Sequence, residues 1–249
     1  KKEELCWSCG WTQYDELFAS YGSRIRIRHT RGTLGIWDVG SRWMIRDQPN
    51  DASVGNDFMT QEFLRQQPGL KTPIIKEMRV LSEPTDKVVL TLMSRVQGVS
   101  LMDVWLTLPP KEKRGYADQL GKCITEWRKF TSPIAAKVNG EPMDDLMFGF
   151  CKRRRPPMCK KVGFTNEEWF KNLEPELRTG LSSIHKTKDP LIIEEKYQEL
   201  IRGSPKSEPY VLTHGDLNTS NILVKNGKIQ AIIDWEMAGY LPWWAEQYL

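Results

Sequence analysis

The segment from His214 to Glu236 constrains this chain more than any other. Two apolar runs, Ile222-Leu223-Val224 and Ile229 to Ile233, flank Lys225-Asn226-Gly227-Lys228. Asn-Gly between apolar runs is the signature of a two-residue hairpin loop, because both central positions of that turn need positive φ. With Asn226 and Gly227 as the loop, Lys225 faces Lys228, Val224 faces Ile229 and, further out, Asn221 faces Ile232. The ribbon then delivers Asn221 and Asp234 to one end, with Asp216 on the loop just upstream. Oxygen donors of this kind suit Mg²⁺, which is held by one or two protein groups together with the phosphates of a substrate.

His214, Asp216 and Asn221 have the spacing of a protein-kinase catalytic loop, and Asp234 follows at a strand end. Singly, an aspartate in a loop and an asparagine at a strand start are ordinary turn residues; here they come together with the hairpin. With His-Gly-Asp at 214–216 and Asp-Trp-Glu at 234–236, the chain resembles the aminoglycoside-phosphotransferase and choline-kinase branch of the kinase-like superfamily, and most of all the fungal phosphotransferase enzyme family. The resemblance implies an α+β, two-lobed kinase-like fold. Residues 1–93 would form a small lobe with an N-terminal helical segment and an antiparallel sheet, and 94–249 a larger, mainly helical lobe. It implies an ATP-dependent phosphotransferase that moves the γ-phosphoryl group to a hydroxyl of a small molecule. Asp216 would take the hydroxyl proton, and Asn221 and Asp234 would hold Mg²⁺. His214 would brace the loop and Glu236 would position substrate or metal. Few residues follow Asp234, which favours a small acceptor over a protein.

From Arg24 to Asp47 the residues read as an antiparallel meander: Ile25 and Ile27 alternate with arginines, and Leu34, Ile36, Val39, Trp43 and Ile45 follow between glycines. In the resemblance, the loop with Gly32 and Thr33 covers the nucleotide phosphates, although a plain hairpin turn has the same composition. Kinases hold these phosphates with a strand lysine oriented by a helix glutamate. This chain has no lysine between Lys2 and Lys71. Arg46 stands in its place, with Arg42 a second candidate, and Glu62, within a segment of helical apolar spacing, is the expected partner. Arginine keeps the charge but is bulkier and not interchangeable with lysine. The alternative function is therefore a pseudokinase, a nucleotide- or partner-binding module without turnover.

Val88 to Met93 is a short β-rich run. It resembles the family's hinge, whose backbone receives adenine through Met93 to Arg95. Beyond it, Pro109-Pro110 start a helix carrying Tyr116, Leu120, Ile124, Trp127 and Thr131 on one face. Two more helical stretches run from Trp169 to Ile184, with an interruption expected at Pro175, and from Ile192 to Ile201. Between the first helix and these two lies a loop with Asp144 and Asp145 that would serve as a lid for a cationic or polyhydroxyl acceptor, or be a plain surface loop.

Lys plus Arg total 36 against 32 Asp plus Glu, a net charge of +4, too small to argue for nucleic acid. Much of the excess sits in Lys152 to Lys161, which reads as a solvated loop. Five cysteines give no disulfide framework and point to a reduced, cytoplasmic setting. Cys6 and Cys9 form a CxxC, but with no second pair and three histidines in the chain it reads as packing rather than a zinc site. No run of about 18 apolar residues is present, so no membrane span is expected.

Overall fold

The computed structural model describes residues 25–31, 34–50, 55–143 and 162–247. Gly32, Thr33, Asp144, Asp145, the CxxC pair and the basic run at 152–161 lie outside the described residues. The chain divides into two compact units, one up to Cys123 with Asn218–Glu236, the other Ile124–Leu217 with Met237 onward.

In the first unit, β1 (Ile25–Arg31), β2 (Leu34–Val39) and β3 (Trp43–Pro49) form the expected meander, and helix α1 (Asn56–Arg65) follows. Strands β4 (Met78–Val80) and β5 (Val88–Ser94) complete an antiparallel sheet of order β1-β2-β3-β5-β4. Strand β6 (Val99–Ser100) leads into a short helix, α2 (Leu101–Val104), whose first turn is capped by the Ser100 hydroxyl accepting from Met102 N–H. Helix α3 (Pro110–Trp127) buries Tyr116, Cys123 and Trp127.

The hairpin belongs to this same unit, so packing does not divide the chain after residue 93. Strand β9 (Ile222–Lys225) lies between β10 (Lys228–Ile232) and β6 in a second sheet. Ile232 N–H donates to the Pro73 carbonyl at 2.8 Å. The Gln119 side chain ties α3 to the turn, donating to Gly227 O at 2.9 Å and accepting from Ile229 N–H at 3.1 Å. Asn226 and Gly227 both have positive φ, 52° and 73°, as the two-residue turn requires.

The second unit holds β7 (Thr131–Ser132), α4 (Asn166–Ile184), α5 (Pro190–Gly203), β8 (Tyr210–Thr213) and β11 (Gly239–Leu241), with sheet order β11-β8-β7. Its core gathers Ala135, Met143, Val162, Tyr210, Leu241 and Ala245, covered by Trp169, Tyr240 and Trp244. Helices α4 and α5 meet where Tyr197 donates its hydroxyl proton to Phe170 O at 3.1 Å, and where Arg178 lies over the Tyr197 ring and pairs with Glu174 and Glu194. Pro175 does not interrupt α4, contrary to expectation. A proline deletes one backbone bond, and the turns before it are anchored by buried Phe170 and Leu173.

Candidate functional site

The hairpin register matches the expected one at its turn and departs from it further out. Lys225 faces Lys228 and Val224 faces Ile229, but a bulge between Ile229 and Ala231 shifts the rest, so Ile222 rather than Asn221 faces Ile232. Asn221 closes a 3₁₀ turn over Thr219–Asn221, and its carbonyl accepts from Ile233 N–H at 3.0 Å. The extra residue thus brings Asn221 one position closer to Asp234 than a regular ladder would. Asn221 is buried and Asp234 exposed, with φ +65° at Asp234. Aspartate and asparagine visit that left-handed region more readily than most residues. An amide oxygen and a carboxylate at one hairpin end are the hard donor set magnesium takes.

Strand alternation puts Met44 and Arg46 on one face of β3. Arg46, opposite Thr91 of β5, is only 8% exposed. Its partner is Asp57, with Nη1 at 3.2 Å from Oδ2, and not the expected Glu62. Helix geometry explains the correction: five residues at 3.6 per turn leave Asp57 and Glu62 about 140° apart around α1. Glu62 binds Arg65 instead, at 2.7 Å, and that hydrogen bond holds its carboxyl below the usual range. Arg42 is no substitute, because it sits exposed in the β2–β3 turn.

The buried face of α1 is largely polar: Asn56, Asp57, Thr60 and Gln61 are buried along with Leu64. The polar face is buried because it meets backbone. Asn56 donates to Trp235 O and Glu236 O at 3.3 and 2.8 Å, and Gln61 accepts from Ile75 N–H at 3.0 Å. Asp57 Oδ1 accepts from Trp235 N–H at 2.9 Å and from Gln61 Nε2 at 2.8 Å. One carboxylate thus joins the strand arginine to the residue that follows Asp234.

Within this unit Ile75, Met78 and Met93 are buried together, and Met44, Phe58, Val96 and Ile233 pack against them. Met93 therefore contributes its side chain to an apolar cluster that runs to the residue preceding Asp234. The adjoining backbone amides are already engaged: Ser94 N–H donates to Glu77 O at 2.9 Å and Arg95 N–H to Arg42 O at 2.7 Å. The Arg95 guanidinium faces Asp38 at 3.8 Å. Val96 is the next backbone group along. Glu236 is exposed, and a Cβ at Gly55 would lie 3.8 Å from its Oε2 and 3.6 Å from Arg46 Nη2.

In the second unit, β8 leads into His214-Gly215-Asp216. His214 is fully buried, and its Nδ1 accepts from Asp216 N–H at 3.3 Å, so the ring braces the loop through that nitrogen. Gly215 has φ +82°, and a Cβ there would meet Met237 O at 2.3 Å, which accounts for glycine between His214 and Asp216. Glu246, which no sequence motif singled out, accepts from His214 N–H at 2.8 Å and Gly215 N–H at 3.2 Å. Burial pushes its carboxyl above the usual range, while these amides, Arg128 and the Leu217 amide pull the other way. Asp216 is half-buried beside this arrangement.

These features define a kinase-like α+β fold, and solved structures share it. Aminoglycoside phosphotransferase APH(2'')-Ib in its ADP-bound form has TM-score 0.57 at 11% identity, with 94% of this chain and 72% of that chain covered. A thermostable mutant of aminoglycoside phosphotransferase APH(4)-Ia, in ternary complex with AMP-PNP and hygromycin B, has TM-score 0.55 at 18% identity, covering 94% and 73%. The streptomycin-ATP-APH(2'')-IIa ternary complex has TM-score 0.55 at 14% identity, covering 94% and 72%. None of the curated proteins matches the chain. The profile of the phosphotransferase enzyme family matches residues 37–246, and the chain belongs to that family.

Proposed function

We propose that this phosphotransferase is an ATP-dependent kinase of small molecules, moving the γ-phosphoryl group to a hydroxyl with Mg²⁺ as its metal. The observation that supports this most is the state of Arg46. Its guanidinium is buried and, among the described residues, Nε and Nη2 have no hydrogen-bond partner, while Nη1 is held by Asp57. Buried donors without acceptors are costly. A phosphate oxygen is the acceptor that a guanidinium fork matches best.

The remaining residues take complementary roles. The cluster of Met44, Met93, Val96 and Ile233 receives the base on apolar surface, and backbone at the end of β5 reads its edge. Asn221 and Asp234 hold magnesium, which supplies charge neutralisation at the phosphates. Asp216 takes the proton of the acceptor hydroxyl, and His214 keeps that carboxylate in place. We assign Gly32 and Thr33 to the phosphates and Asp144, Asp145 and Glu236 to the acceptor, roles that suit a cationic or polyhydroxyl molecule. No nucleic-acid or membrane partner is invoked: among the described residues no helix is long and apolar enough to cross a membrane. The reaction is assigned to the cytoplasm.

The test uses purified protein with ATP and Mg²⁺. A melting shift that needs both is expected, together with phosphate transfer to a member of a panel of aminoglycosides, amino alcohols and sugars. Asp216→Ala should abolish transfer and keep the shift. No shift at all overturns the reading. A shift without transfer favours a nucleotide-binding module that lost turnover, the reading that arginine at the lysine position raises.

A further inference from the structure

We infer that Glu246 is a positioning residue for Asp216, a role that rests on the proposed function of Asp216. The three residues His214 to Asp216 carry three backbone amides, and each has an acceptor. The amides of His214 and Gly215 donate to the two oxygens of Glu246, at 2.8 Å to Oε2 and 3.2 Å to Oε1. The remaining amide, of Asp216, donates to His214 Nδ1 at 3.3 Å. A carboxylate is the side chain suited to this task, because both its oxygens accept and neither donates.

The segment that carries Glu246 is itself fixed. Ala245 is buried in the core of the second unit, Ala245 N–H donates to Pro242 O at 2.9 Å and Gln247 N–H to Trp244 O at 3.2 Å. Arg128 Nη2 donates to Trp243 O at 2.8 Å, and its charge also acts on Glu246. On the other side of the loop, Gly215 is seated directly against the Met237 carbonyl. The backbone on both sides of Asp216 is thereby held, while its own side chain is left partly open to a substrate.

The experiment compares wild type with Glu246→Gln, Glu246→Asp, Asp216→Asn and the Asp216→Asn/Glu246→Gln double variant, using ATP and Mg²⁺ with γ-phosphate release to an acceptor or to water as the readout. An amide offers one acceptor oxygen and turns a donor toward the second amide. Glu246→Gln should therefore lower kcat by 10-fold or more with the KM for ATP within twofold of wild type, and Glu246→Asp should recover part of the loss. In the Asp216→Asn background the same change should have no further effect. Amide hydrogen exchange at His214 and Gly215 should accelerate in Glu246→Gln while protection in β8 is kept, which separates loosening of the loop from unfolding. An unchanged kcat, a multiplicative loss in the double variant, or unchanged exchange at these two amides each overturns the inference. If Asp216→Asn turns over like wild type, the assignment of Asp216 as proton acceptor fails instead, and exchange at His214 and Gly215 alone decides whether Glu246 holds the loop.

Discussion

The pairing of Arg46 with Asp57 predicts that replacing the arginine by the lysine usual in kinases will damage this protein. Arginine is the longer side chain and aspartate the shorter carboxylate, and together they close a 3.2 Å contact in a buried setting. A lysine at position 46 stops short of Asp57 Oδ2. Asp57 Oδ1 would keep its bonds from Trp235 N–H and Gln61, but Oδ2 would lose its charged donor while only 3% of the residue is exposed. A hydrogen bond to a charged group is worth about 1.5–3 kcal/mol, so Arg46→Lys should destabilise the fold by that amount. Removing the charge altogether in Arg46→Ala leaves a buried carboxylate uncompensated and should cost about 3–5 kcal/mol.

Adding a methylene to the acid restores the reach. Arg46→Lys combined with Asp57→Glu should therefore be more stable than the sum of the single changes predicts, with a coupling of at least about 1 kcal/mol, beyond the 0.3–0.5 kcal/mol scatter of independent sites. Urea unfolding of the four proteins in this cycle measures it, and the KM for ATP should follow the same order if the pair also orients Arg46 toward phosphate. Additive single changes, or an Arg46→Lys variant as stable as wild type and faster in turnover, would refute the idea that the arginine and the short acid are matched.

Gly215→Ala should cost about 1–3 kcal/mol from the positive φ alone, plus the close approach to Met237 O, and the loss should appear in thermal unfolding. Asp234→Asn can keep the left-handed backbone at this position, so it isolates the charge: the magnesium-dependent part of the melting shift with ATP should disappear while the shift with nucleotide alone remains. Burial raises the Glu246 carboxyl above its ordinary 4.5, so the folded chain holds this proton more tightly than the unfolded one. The stability from this group is full below pH 4.5 and is lost as the pH rises through the folded value. Across that window wild type should lose stability relative to Glu246→Gln in urea titrations, and a constant or widening advantage for wild type would contradict the sign.

Legibility from sequence followed the range of the interactions. The meander and the Asn226-Gly227 turn are set by residues adjacent in the chain, so alternation and turn chemistry identify them. The bulge that moves Asn221 opposite Ile233 is a pairing property of two strands and leaves no local mark, so the simple register failed there. On α1, helical spacing identified the element but not its buried face, which is set by backbone groups of distant segments that need polar partners. Asp57 was passed over for this reason. A glutamate was sought from the family pattern, and the helix angle that excludes Glu62 becomes decisive only once the position of Arg46 is known.

The two carboxylates that sequence motifs missed share one task. Asp57 accepts from the amide of Trp235, the residue after Asp234, and Glu246 accepts from the amides of His214 and Gly215, the residues before Asp216. Each acid accepts from backbone beside a motif aspartate. In the proposed reaction the motif residues would meet a phosphate, a metal or a hydroxyl, and such residues act only if held to within a fraction of an ångström of the productive geometry. An acid with this holding role needs only to reach a particular pair of N–H groups, so its position in sequence is fixed by the packing of other elements. Substituting either acid should therefore loosen the adjoining loop and lower turnover with every motif residue intact, and activity lost this way should return when the reach of the carboxylate is restored rather than when a motif residue is altered.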